Sequence, residues 1–417
     1  MLSTLNLQQL PNKSVNQEFE YNNRLGFREY ISLSWGEPYR LLFPLGILIG
    51  LLGVAMWPLY YSGWISLPFP VPHHAHIMIQ GFFGSFVFGF LGTAMPRMLT
   101  APKLKAIEVG CIIVLIILTA VSHFFGNTRL GDGSFLVLLL SFVIIMRSRF
   151  VVRQDVPPPG FILVFLGLLS AVVGTSVLLI STLTIVSAFW YRLASLLLFQ
   201  GFLLFPILGI GAFLFPRFFG LPNLHNFDES KALPPGWIPR AFLAGFCGIM
   251  VMIGFVLEAK GMLRAGPLVR LVGAGIYFGR EVPFFRTFRK HGTLGVCLGS
   301  ALLLLMTGML CQSLFPQYGK SMEHIVLIGG FGLLTMTVAT RVILGHSGQT
   351  HRFKEKILPL LIMMILVVVS LATRVSADVF PDVIVSHQIY AALIWIIAVV
   401  IWAFRILPGV LRPDDEE

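Results

Sequence analysis

The chain has 417 residues, 56% of them hydrophobic and only 12% charged, with a mean hydropathy of +0.85. No soluble domain with one core needs that much apolar surface, so the class is an all-α polytopic membrane protein whose first partner is the lipid bilayer. The formal net charge of +11 is spread over short loops; that pattern sets membrane orientation and argues for no nucleic-acid partner.

Residues 1–38 mix Asn, Gln, Glu and Arg without an apolar core, so they read as a cytoplasmic N-terminal tail and not as a cleaved leader. Apolar runs then predict twelve membrane helices near 39–60, 74–96, 106–125, 133–150, 160–182, 187–214, 239–258, 263–279, 292–312, 321–341, 356–376 and 385–405. Together they form one transmembrane domain over 39–406, followed by a cytoplasmic acidic tail at 407–417. The eighth span is the weakest, because Arg270 interrupts it. With the N-terminus inside, 23 of the 30 Lys and Arg residues fall in the tails and even-numbered loops. The exceptions are Arg129, Arg192, Lys260, Arg264, Arg270, Lys320 and Arg374, and this bias places both termini in the cytoplasm. The four cysteines form no CxxC pair, so covalent haem attachment and a cysteine-held cluster both lack their motif.

The second span carries the most information. It opens on His73, His74 and His76, runs uncharged from Met78 to Met95 with Gly81, Gly84, Gly89 and Gly92, and closes on Pro96-Arg97. Such glycines weaken a soluble helix, but in lipid they admit a neighbouring helix or a flat ligand. Gln80-Gly81, Gly89, Pro96-Arg97 and Pro102 recur, ungapped and 120 residues later, as Gln200-Gly201, Gly209, Pro216-Arg217 and Pro222. In the tenth span, His324 and Gly329 match His76 and Gly81 more loosely. Spans two, six and ten thus read as equivalent members of three four-helix units.

Topology sorts the histidines. His73, His74, His76, His123, His324 and His387 fall at outer span ends, and His225, His291, His346 and His351 at inner ends. His324 and His346 are separated by roughly 33 Å of helix, so one cofactor cannot use both. Histidine inside a membrane span is usually functional. Two imidazoles on facing helices can hold a haem iron from both sides, and His76 with His324 is the pair of matching depth. Arg374, at the outer end of span eleven, is the expected partner of haem propionates, with a salt bridge to Asp378 or Asp382 as the plain alternative. Adjacent imidazoles at His73 and His74 offer a copper site. Otherwise His73, His74, His123 and His387 read as solvated, as do His225, His291 and His351. His346, in Arg341-Val342-Ile343-Leu344-Gly345-His346-Ser347-Gly348, reads equally as a helix cap. No HExxH, P-loop, GxSxG or GxGxxG signature is present, so no catalytic residue is assigned.

With these residues placed, the chain resembles the NnrS family of membrane proteins. His74-Ala75-His76-Ile77-Met78, Gly81-Phe82, Gly89-Phe90-Leu91, Thr93-Ala94 and Pro96 are similar to the family's HAHEM…GF…GFLLTA-P stretch. His324, Gly329 and Thr340-Arg341-Val342 into Leu344-Gly345-His346-Ser347-Gly348 are similar to its H…G…TR-LGHTG stretch. Arg374-Val375 and Phe215-Pro216 with Phe218-Phe219 add weaker likeness. The family's Glu after HAH is Ile77 here, and its TGR is Ser347-Gly348-Gln349. The resemblance implies a protein of the bacterial inner membrane containing haem b and copper, tied to nitric oxide tolerance, nitrosative stress and denitrification. Its topology would be similar to that of haem-copper oxidase main subunits. A divergent nitric oxide reductase is the second reading, but spans six and seven lack the histidines of a binuclear centre. A small-molecule or metal transporter is the third, since carriers are often built from repeats.

Overall fold

The apolar runs fold as helices, each satisfying its own backbone polar groups, as a chain in lipid must. A computed structural model describes residues 27–65, 70–225, 227, 230–283 and 292–413, and among these no strand forms. Most of the N-terminal tail, His291 and the acidic residues 414–417 lie outside the described residues. Among the described residues, eleven helices are long and apolar enough to cross a membrane: Tyr39–Tyr61, Pro70–Met98, Ala106–Phe124, Thr128–Val151, Phe161–Ser181, Ala188–Phe218, Trp237–Ala259, Gly292–Leu314, Pro316–Gly345, Leu358–Val379 and Pro381–Leu411. The predicted eighth is a shorter helix of 17 residues, Ala265–Glu281, which still packs in sequence order between spans seven and nine.

The helices form a ring of three units. Spans pair as one with two and three with four, then five with six and seven with eight, then nine with ten and eleven with twelve. Four packs on five, eight on nine, and twelve on one, which closes the ring. Spans two and six are 78% and 83% buried over their most apolar stretches, and span ten 61%, against 39% or less for spans three, four, seven, eleven and twelve. The repeated helices are therefore the inner ones. Outer faces carry exposed side chains such as Val114, Ile144, Phe242, Ile249 and Phe404, a surface that lipid accepts and water does not.

The repeat is also visible in the backbone. Each inner helix widens into a π-helical turn at the same place, Ile77–Phe83 in span two, Leu197–Gly201 in span six and Ile325–Gly332 in span ten. Such turns re-aim side chains inside a helix and concentrate at functional sites. Close approach is secured by Gly46, Gly50 and Gly53 of span one. A Cβ at Gly50 would stand 2.6 Å from Phe82 Cδ2, and one at Gly53 2.8 Å from Ile77 Cγ2.

Both ends of the described chain meet on one face, as twelve crossings require. Arg40 Nη1 donates to the carbonyls of Val410 at 2.7 Å and Arg412 at 2.6 Å. Arg40 Nε donates to the buried Glu37 at 2.9 Å, and Arg97 also donates to Glu37. This knot fixes the ends of spans one, two and twelve.

Candidate functional site

Three polar clusters sit on the face opposite the termini, one for each unit of the ring. In the first unit, His76 Nδ1 lies 2.9 Å from Asp132 Oδ1, and the His76 and His123 rings are 4.6 Å apart between centroids. Gln80, one helical turn beyond His76 on the π-helical turn, joins them: its Nε2 donates to Asp132 Oδ1 at 2.8 Å, and its Oε1 accepts from His123 Nε2 at 2.8 Å. Asp132 enters from the start of span four, whose first turn is capped by the Asn127 side chain accepting from Leu130 N at 3.1 Å. Phe199 of span six closes the cluster edge-on to His76. Ligating atoms of His76, His123 and Asp132 all lie within 4.8 Å of one another, and all three residues are buried.

The second unit has a different solution. Arg270, the residue that interrupts span eight, is fully buried and donates to Gln200, Glu258 and, at 3.2 Å, Gln312. Gln200 in turn donates to Glu323 Oε1 at 3.0 Å, while Arg192 reaches Glu258 from the rim. The guanidinium also lies over the Phe255 ring at 4.8 Å. A buried cation is tolerable here because its two terminal nitrogens both meet acceptors and its plane lies over a ring face.

The third cluster gathers spans ten, eleven, twelve, one and two. His324 Nδ1 donates to Lys320 O at 2.7 Å, and His74 Nδ1 donates to Gly53 O at 2.9 Å. A carbonyl only accepts, so in both rings the proton is on Nδ1 and the lone pair is on Nε2. His74, His324 and Arg374 are close enough to feel one another's charge. Arg374 Nη1 lies 3.1 Å from Asp378 Oδ2 but out of line for a hydrogen bond, and no other acceptor meets that nitrogen. Tyr61 donates to Gln388 at 2.6 Å beside them, and Trp57 meets the His74 ring edge-on.

The expected residues are thus distributed between two clusters. His76 and His73 belong with His123 and Asp132, whereas His74 belongs with His324 and Arg374. No contact joins His76 to His324 among the described residues. Adjacent in sequence, His73 and His74 project to different clusters, because neighbouring residues on a helix diverge by about 100°. His123 and His225, read from the sequence as solvated, are both buried: His123 in the first cluster, His225 with Nε2 2.9 Å from Glu281. On the terminal face, His346 Nδ1 stands 3.6 Å from Glu37, and Arg341 is sandwiched between the rings of Phe218 and Phe353 at 4.6 and 4.2 Å. Both serve as packing partners there, far from the other clusters. Asp132 and Gln80 were missed; the signal was a single carboxylate between Gly131 and Gly133, just inside an apolar span.

No curated protein matches the chain in a sequence comparison. The family model described as NnrS protein matches residues 34–413, nearly the whole chain and all twelve helices, and the chain therefore belongs to the NnrS family.

Proposed function

We propose that this membrane protein holds a b-type haem between spans two and ten, on the face opposite its termini, and serves tolerance to nitric oxide. The observation that carries the reading is the pair of matched tautomers. His74 and His324 each give Nδ1–H to a backbone carbonyl and keep Nε2 as the lone-pair nitrogen, the orientation that metal-bound histidines adopt. His76, the span-two ligand expected from the sequence, faces Asp132 instead, so His74 takes that role. Arg374 has a donor nitrogen without a hydrogen-bond acceptor, which suits a propionate carboxylate.

The haem would supply a redox-active iron. The chain's own residues would do the rest: His74 and His324 would hold the group through Nε2, Trp57 packs edge-on against the His74 ring, and Arg374 would balance the charge of the propionates. The nitric oxide role comes from the family resemblance. Copper, the second implied metal, finds no chelate at His73 and His74, since these diverge.

Protein purified in detergent from a haem-replete host should show a Soret band. His74→Ala and His324→Ala should each remove or reshape it, while His76→Ala should keep it. Absence of the band in the unaltered protein, or an unchanged spectrum in both variants, would overturn the haem reading. For the physiological role, a strain lacking the protein should grow poorly under nitric oxide and be rescued by the unaltered chain but not by His324→Ala.

A further inference from the structure

We infer that the groove between spans four, five and seven, at their ends on the terminal face, binds one anionic phospholipid. An acyl chain lies in the groove, and the phosphate meets Arg153 and Lys231. The site is on the face opposite the three polar clusters and is independent of the haem reading.

Packing leaves this groove open. It has a volume of about 630 Å³ and lies between Phe150, Ile162 and Phe165 on one side and Phe242 and Ile249 on the other, where Gly245 adds no side chain to fill it. A cavity of about 150 Å³ takes a benzene ring, so this space accepts a much longer chain. Ile162, Phe165, Phe242 and Ile249 are all exposed, and an apolar surface of this kind marks a place for an apolar partner. At the loop end, Trp237 Nε1 donates to Pro157 O at 2.8 Å and ties the start of span seven to the proline run before span five.

The first unit has the same position with its cover in place. Aligned on His123 and Glu258, the buried residues of spans three and seven coincide: Val109, Ile112, Ile116 and Ala120 fall on Ala244, Cys247, Val251 and Phe255. Gly110 then falls on Gly245. A helix before span one, Phe27–Gly36, packs on spans one and three, and its Trp35 lies 4.0 Å from where a Cβ on Gly110 would stand. The chain before span five, residues 152–160, forms no helix. Among the described residues, only Ile162 comes near a Cβ built on Gly245, at 3.6 Å. The second unit thus keeps the glycine and lacks the protein cover, and the bilayer supplies the substitute.

The rim selects the headgroup. Arg153 lies 5.5 Å over the ring of Phe150, which lines the groove, and its Nη1 donates to Phe150 O at 2.8 Å. No carboxylate pairs with Arg153 among the described residues. Val156 N donates to Ser230 O at 3.0 Å, which brings the exposed Lys231 to the same rim. Asp155, the nearest acid in sequence, already accepts from the backbone N–H groups of Val156 and Ser230. Arg240 is matched by Glu281. Trp237 stands at this level, the interfacial place that tryptophan favours. Each cation at headgroup depth favours an anionic lipid by roughly fivefold.

The test uses the full-length protein, delipidated and returned to mixed micelles of detergent with phosphatidylglycerol or phosphatidylcholine. Native mass spectrometry should show one retained phosphatidylglycerol per chain, preferred over phosphatidylcholine by roughly twentyfold. Gly245→Phe fills the groove without touching a charge and should lose the retained lipid. Arg153→Gln with Lys231→Gln should keep a lipid and lose the preference. Equal retention of both lipids by the unaltered protein, an unchanged preference in the double variant, or unchanged retention in Gly245→Phe would overturn the site. So would a dimer that Gly245→Phe dissociates, since a second copy would then be the cover. Should Gly245→Phe fail to fold, brominated phosphatidylglycerol decides through Trp237 fluorescence, read as the difference between the unaltered chain and Trp237→Phe. Saturable quenching supports the site, and its absence rejects it.

Discussion

Gln80 Nε2 donates to Asp132 Oδ1 at 2.8 Å across spans two and four, and the equivalent Gln200 meets Arg270 and Glu323 across spans six, eight and ten. The same amide, on the same π-helical turn, organises a different set of charges in each unit. The ring is therefore a repeated scaffold with individually specified interiors.

Arg270 is the most exacting of these charges. Arg270→Ala removes a buried cation and leaves Glu258, among the described residues, with its rim partner Arg192. The expected cost is about 3–5 kcal/mol, read as a lower unfolding midpoint in detergent. The double variant Arg270→Met, Glu258→Met should recover most of that loss, since neither charge is then buried alone. A double variant as unstable as Arg270→Ala would show that the pair matters for something other than charge balance.

The glycine stripe of span one makes a contrasting prediction. Gly50→Ala drives a Cβ to within 2.6 Å of the Phe82 ring, in a contact between two helices that cannot both yield. Overpacking of this kind costs about 1–3 kcal/mol. Gly133→Ala, where nothing lies within 4 Å, should be neutral or slightly stabilising. Thermal unfolding of the two variants side by side checks both.

Glu37 anchors the terminal face by accepting from Arg40 and Arg97 while buried. Glu37→Ala removes a buried carboxylate that accepts from Arg40 and should cost about 3–5 kcal/mol. Because the knot ties spans one and two to the chain's C-terminal end, proteolysis near Arg412 should quicken in that variant. Unchanged cleavage would show that the carbonyls of Val410 and Arg412 suffice.

Arg374 tests the haem pocket without touching a ligand. A cation beside haem favours the reduced form, which carries one more negative charge, so Arg374→Ala should lower the midpoint potential. An interaction of about 1 kcal/mol corresponds to roughly 40 mV for one electron. A redox titration in which the midpoint does not move would assign Arg374 to Asp378 alone.

Much of this architecture is legible in the sequence, because lipid simplifies the physics. Uncharged runs of span length become helices, and an ungapped spacing between Gln80 and Gln200 survives as matching π-helical turns. The eighth helix runs unbroken through Arg270, whose charge marks it in the sequence as the least apolar of the twelve. Buried polar side chains are harder to read. His123 and His225 stand beside loops in the sequence, and only their partners, Gln80 and Glu281, show that they are interior.

The sequence by itself determined the membrane class, the number and order of helices, the threefold repeat and the histidines worth watching. The tertiary structure decided which of those histidines meet. His76 and His324 occupy equivalent places in their repeats, and for that reason they face equivalent clusters of different units and not each other. In a closed ring, the partner of His324 must come from the other side of span two, where His74 projects. Equivalence in sequence gives likeness of position, but contact depends on how the units are turned about their common centre, and that rotation is set only when the helices pack.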